Sequence, residues 1–230
     1  MSKLTLAGLV ALGIVTLPLA AQRLSARSDV PGIALRVAGA HGIGAWGSVV
    51  EISYTFNVEA GTRKSFRKWT WRPREGRVTY HGGSRIDTAL TYTTADLHPD
   101  SPQILRDLDH AFINDQYWLV FPFHLVWDSD VTVTDEGTAP LPIGEGSARK
   151  IVARYGPTGG YTPGDVYEVF VDEHERIVQW RFLEGGDETE AHPMTFEDHR
   201  TFGGLRIPME HRSSDGSFRL FFTDVRVELE

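Results

Sequence analysis

The sequence predicts a mainly β chain with few helices (α+β): a strongly curved, incomplete antiparallel β-barrel of about ten or eleven strands, with helices covering one side or mouth. Three observations carry that prediction. Apolar and polar residues alternate with period two over most of the chain. Turn-forming residues are frequent, with 23 glycines and 12 prolines in 230 residues. Only two stretches show helical spacing, too few to cover both faces of an open sheet of that width.

Taken in order, residues 1–21 read as an export signal. Lys3 is followed by an apolar run from Leu4 to Ala20, a helix breaker at Pro18 and the small Ala21. This places the protein outside the cytoplasm, in the periplasm or cell envelope. The alternative is a retained N-terminal anchor, since the run sits at the lower edge of a membrane span and Arg23 and Arg27 flank its far end. Residues 28–230 then form one domain. A short helix is expected within 28–46, capped by Asp29, with Pro31 near its first turn and Ile33, Val37 and Ala40 on one face.

A β-meander follows. Val50, Ile52, Tyr54, Phe56 and Val58 alternate with polar residues; Trp69 and Trp71 share a face of the next strand; Val78 and Tyr80 mark a third, and Ile86, Leu90 and Tyr92 a fourth. His98 to Pro102 starts a second helix, with Leu105, Leu108, Phe112 and Ile113 at helical spacing to about Asn114. The most apolar stretch, Tyr117 to Trp127, comes next, and strands resume after Asp128. They are marked by Ile151, Ala153 and Tyr155, by Tyr167, Val169 and Val171, by Val178, Trp180 and Phe182, by Met194 and Phe196, by Leu205 to Met209, and by Phe218 to Val227. Residues 135–147 and 184–190 read as hairpin connections.

Composition narrows the function. At 41% hydrophobic and 23% charged the chain is globular and long enough to bury a sizeable core. With no cysteine there is no disulfide framework, thiol nucleophile or lipid-modified cysteine anchor. A net charge of −8, from 31 acidic and 23 basic residues, opposes a nucleic-acid partner. No string implies a cofactor. Gly42 to Gly47 matches G-x-G-x-x-G, but it lies between a helix and a strand, the reverse of a dinucleotide site. Ser84 follows Gly82-Gly83 in what reads as a hairpin turn, and His98-Pro99-Asp100 lacks two long flanking helices. The nine histidines show no H-E-x-x-H spacing, so no metal site is indicated. No catalytic residue is singled out.

What stands out is aromatic. Trp69, Trp71, Tyr80, Tyr155, Tyr167 and Trp180 lie on alternating strand faces, where they either fill a core or line a ligand cavity. Tyr117, Trp118, Phe121, Phe123 and Trp127, around Pro122, supply either the wall or lid of such a cavity or a plug that fills it. Arg67, Arg72, Arg85 and His81 are candidates to meet a headgroup at a rim.

The run from Phe112 to Leu125, the helix ending near His41, Gly42 and Trp46, the string from Tyr161 to Val171, and the closing Gly204 to Pro208 and Phe222 to Val225 together resemble a known group. They are similar to exported proteins with the fold of the LolA/LolB-like lipoprotein carriers. The resemblance spans roughly residues 30–230 and is one of layout. It implies an incomplete barrel with helices closing one mouth, and an apolar interior that carries acyl chains. A membrane-attached receptor of the LolB kind would need the lipid-modified cysteine that this chain lacks, which leaves a soluble or differently anchored form. The expected partner is a lipid or other hydrophobic small molecule, or a lipidated protein, with membrane contact at a barrel mouth. The competing expectation is an envelope interaction or scaffold module with a filled barrel; an enzyme acting on an envelope substrate is the third.

Overall fold

The structure is a computed structural model that describes residues 30–157 and 163–230. The export signal at 1–21, Asp29 and the start of the Tyr161 string lie outside the described residues. Two α-helices, α1 (Gly32–Ala40) and α2 (Gln103–Trp127), accompany twelve strands. These are β1 (Val49–Ala60), β2 (Arg63–Arg72), β3 (Arg77–Gly83), β4 (Leu90–Thr93), β5 (Val131–Pro140) and β6 (Ser147–Tyr155), then β7 (Val166–Val171), β8 (Ile177–Leu183), β9 (His192–Thr195), β10 (Glu197–Phe202), β11 (Leu205–Arg212) and β12 (Phe218–Leu229).

The strands form two antiparallel sheets and do not close into a barrel. One has seven strands in the order β10-β11-β12-β1-β2-β3-β4, the other five in the order β5-β6-β7-β8-β9. The two meet at a seam. Met194 and Ser213 form a single bridge, and the Arg212 N–H donates to Thr195 Oγ1 at 2.9 Å. His41, fully buried after α1, ties the same seam: its Nδ1–H donates to the Arg206 carbonyl and its Nε2 accepts from the Ile177 N–H, both at 3.1 Å. Two sheets replace one continuous barrel because pairing across this seam is too short to form a ladder, and β4 and β5 remain as outer edges.

The number of strands exceeds the sequence expectation because two of them are polar. In β5 only Val133 is buried and in β10 no residue is, so neither shows the alternation that marks a half-buried strand. Residues 135–147 are accordingly the end of β5 and a tight turn rather than one long connection. Ile86 falls in the loop between β3 and β4. The first helix is shorter than 28–46: Gly42 turns the chain at φ +88° and a 3-10 turn, Ile43–Ser48, leads into β1.

The larger correction concerns α2, which runs through Asn114 to Trp127 instead of ending there. Its second half has no helical periodicity because nearly every position from Leu119 to Val126 is buried. Pro122 interrupts the hydrogen-bond ladder, and the backbone leaves helical geometry at Val120 (φ −132°, ψ 24°), a kink of the kind an internal proline produces.

Cross-strand register places the large rings on one face. Tyr54 faces Trp69, Trp69 faces Tyr80 and Phe56 faces Phe222 in the seven-stranded sheet; Ala153 faces Tyr167 and Val169 faces Trp180 in the five-stranded one. Helix α2 lies against both sets. Its Phe112 ring sits 5.6 Å from Trp69 and 5.5 Å from Trp71, while Phe121 sits 4.9 Å from Tyr167 and 5.0 Å from Trp180. The core is therefore the space between the aromatic faces of both sheets and this one helix.

Candidate functional site: an aromatic interior under a kinked helix

The eleven aromatic residues singled out from sequence come together around α2 in two groups. Toward the seven-stranded sheet, Trp71 meets Trp46 at 5.2 Å, and Trp46 in turn meets Phe123 at 5.7 Å and Trp127 at 4.5 Å; Trp69 and Tyr80 are 4.9 Å apart. Toward the five-stranded sheet, Trp118 meets Trp180 at 4.4 Å, Tyr117 meets Tyr167 at 6.2 Å, and Tyr155 meets Tyr167 at 5.7 Å. All are buried except Trp118 and Trp127, which are half-buried. The rings touch one another at separations typical of packed aromatic pairs.

An open depression of about 610 Å³ lies elsewhere, where the β5–β6 and β7–β8 turns come together, lined by Leu141, Arg149, Asp172, Glu175 and Gln179 among others. None of the eleven rings lines it.

Polar side chains that sequence reasoning passed over hold α2 in place. Asp115 is fully buried and accepts from Arg67 Nε (2.7 Å) and Nη2 (2.5 Å), from Trp69 Nε1 (2.9 Å) and from Asn114 Nδ2 (3.0 Å). Burial raises the Asp115 pKa, against the hydrogen bonds and positive charge of Arg67. Arg67, whose side chain remains 31% exposed, is thus committed to the ion pair with buried Asp115. Of the other rim candidates, Arg72 pairs with Glu51 and Glu75, His81 contacts the Thr70 hydroxyl at 2.8 Å, and Arg85 is exposed.

The other end of α2 is fixed to the five-stranded sheet. Asp128, just past the helix, accepts from the hydroxyls of Tyr117 (2.7 Å) and Tyr155 (2.8 Å) and from His124 Nδ1 (2.9 Å). Burial works to raise Asp128, but His124 and the two tyrosine hydroxyls outweigh it and hold the carboxyl below the usual carboxylate range. His124 Nε2 lies 3.0 Å from Gln116 Oε1. The i, i+4 spacing of His124 and Asp128 was a readable signal, concealed only because 117–127 was not seen as helix.

A second polar feature lies at the seam. His211 is fully buried, its Nδ1 3.0 Å from the Thr195 carbonyl; a carbonyl only accepts, so Nδ1 carries the proton and Nε2 is a bare acceptor. Among the described residues Nε2 has no hydrogen-bond partner, and neither has Nε1 of Trp180, Trp71 or Trp127 or the Tyr54 hydroxyl. Each such group costs about 1–3 kcal/mol if left unpaired in a dry interior. Also among the described residues, no three potential metal ligands converge, and no helix is long and apolar enough to cross a membrane.

No protein-family model matches the chain, and no curated protein sequence does. Solved structures do match. A domain described as an outer membrane lipoprotein-sorting protein from Vibrio parahaemolyticus superposes with a TM-score of 0.51 at 12% identity, covering 85% of this chain and 91% of that one. A DUF1329 family protein from Desulfovibrio piger has a TM-score of 0.43 at 9% identity, with coverage of 86% and 93%. The Mycobacterium tuberculosis lipoprotein LppX has a TM-score of 0.26 at 7% identity, with coverage of 87% and 99%. At 12% identity the likeness to the Vibrio parahaemolyticus domain is one of fold alone. The two antiparallel sheets with a helix laid across their aromatic faces are thus a fold shared with the Vibrio parahaemolyticus domain.

Proposed function

We propose that the protein is an exported, non-enzymatic carrier of a lipid, acyl chain or other hydrophobic ligand, taken up between the curved wall and α2. The observation that carries this reading is the covering of an aromatic face of two sheets by one kinked helix. Displacing that helix uncovers a continuous apolar surface. Burying a methylene group is worth about 0.8 kcal/mol, so an acyl tail of about fourteen carbons offers roughly 10 kcal/mol before ordering costs. That sum has to replace the contacts α2 gives up, which include the Asp115 and Asp128 fastenings as well as apolar packing. The acyl group of a lipidated protein satisfies the same surface as a free lipid.

The mutual contacts of the rings favour a second reading, an envelope scaffold whose interior stays filled. Native mass spectrometry of protein expressed in an envelope-bearing host separates the two. A carrier retains lipid or, once stripped, takes up a fluorescent fatty acid; a protein that purifies empty and takes up nothing is the scaffold.

A further inference from the structure

The seam between the sheets holds two buried polar atoms that the core leaves without a hydrogen-bond partner among the described residues, on rings that share their neighbours. His211 on β11 and Trp180 on β8 are both buried, and both rings touch the same two neighbours. Trp118 lies 5.1 Å from His211 and 4.4 Å from Trp180; Phe196 lies 4.5 Å and 5.1 Å from them. One ring offers an acceptor, Nε2, and the other a donor, Nε1–H, and neither has a partner among the described residues. Trp118 is the one member of this box that belongs to α2; the other three stand on or beside the sheets. Movement of α2 would therefore withdraw Trp118 and leave the acceptor and the donor on the wall.

We propose that His211 and Trp180 form the polar anchor for a neutral hydroxyl group borne by an otherwise apolar ligand. The proposal rests on the carrier reading and names the headgroup that such a carrier selects. A hydroxyl is complementary to the pair, because it donates to Nε2 through its hydrogen and accepts from the indole N–H on its oxygen. A carboxylate accepts only, and would face the His211 lone pair without a proton between them. An ammonium donates only, and would meet the indole N–H and be stripped of water. Protonating His211 to suit a carboxylate is disfavoured, since burial pushes its pKa down to about 3, against the hydrogen bond to Thr195. The Thr195 carbonyl fixes the tautomer, so the acceptor cannot turn into a donor by exchanging its proton.

The test offers the delipidated full chain matched probes in competition, read by native mass spectrometry: hexadecanol, its methyl ether and palmitate above neutral pH. The wild type should take up the alcohol about tenfold more tightly than the ether, which keeps the oxygen but loses the donor, and should disfavour palmitate. His211→Phe keeps a ring in the box and removes the acceptor; it should bring the alcohol-to-ether ratio to about one while ether uptake persists, and Trp180→Phe, which removes the donor that both oxygens accept from, should weaken alcohol and ether alike and leave their ratio near the wild-type value. A diacylglycerol and its O-methyl ether, compared in the same way, decide whether the hydroxyl arrives on one chain or on a glycerol. Equal uptake of alcohol and ether by the wild type overturns the anchor, leaves water as the partner of the pair, and lets the carrier reading stand. Failure to take up any probe overturns the carrier reading and the anchor with it.

Discussion

His41 and His211 show how a buried imidazole is kept neutral. Burial pushes both down to about 3, against a carbonyl hydrogen bond in each that favours the proton. In the unfolded chain both return to about 6.5, so below that value the unfolded state binds more protons and stability is lost as the pH drops. Above about 6.5 both states are neutral and the effect vanishes. The expected slope is about 1.4 kcal/mol per pH unit for each ring between roughly 6 and 3. Urea midpoints collected across pH 7 to 4.5 should show it, and His211→Phe should make the acid decline shallower by one ring's share. The Arg67–Asp115 pair makes a different residue-scale prediction. Arg67→Met leaves a buried carboxylate without its cation and should cost about 3 kcal/mol, whereas Arg67→Met with Asp115→Leu should recover most of it. Chemical denaturation of the four variants in the cycle reads the coupling directly.

At the scale of elements, the corner after α1 is held by close approach. Gly42 has φ +88°, and a Cβ there would stand 2.0 Å from the Gly204 carbonyl oxygen. Gly42→Ala should therefore destabilise by about 2 kcal/mol or more, since neither the backbone angle nor the neighbouring strand can give way cheaply; a thermal melt measures it. The G-x-G-x-x-G string that begins at Gly42 thus has a conformational explanation. Strands whose one face meets the core were legible, as in β1, where Ile52, Tyr54 and Phe56 alternate with polar residues. Elements at the two extremes of burial were not. Helix α2 beyond Asn114 is buried on all sides and carries a proline, while β5 and β10 have almost no buried face, so in each the periodic signal is lost. Trp71→Ala and Trp118→Ala probe both sides of the helix. Trp71, nearly fully buried, should cost about 3–5 kcal/mol and half-buried Trp118 less. Uptake of a fluorescent fatty acid measured on the same variants separates the roles, since loss of stability with unchanged uptake in both makes these rings packing and not pocket.

For the whole molecule, the convergence of aromatic rings was readable because each lies on the inward face of a strand or on a helix, and register does the rest. The polar groups that organise the interior were not. Asp115 and Asp128 look like any of 31 acids until the fold brings Arg67, Tyr117, Tyr155 and His124 to them. Their positions have a mechanical consequence. Before the kink, α2 is fastened to β2 through Asp115; after it, to β6 through Asp128. Each leaf of the wall thus has its polar fastening on a different half of one rod whose rings pack on both leaves, and neither leaf can melt without loosening the rod that the other relies on. Heating should accordingly give a single calorimetric peak shared by far-ultraviolet and tryptophan signals, and cutting either fastening should lower that one peak rather than split it.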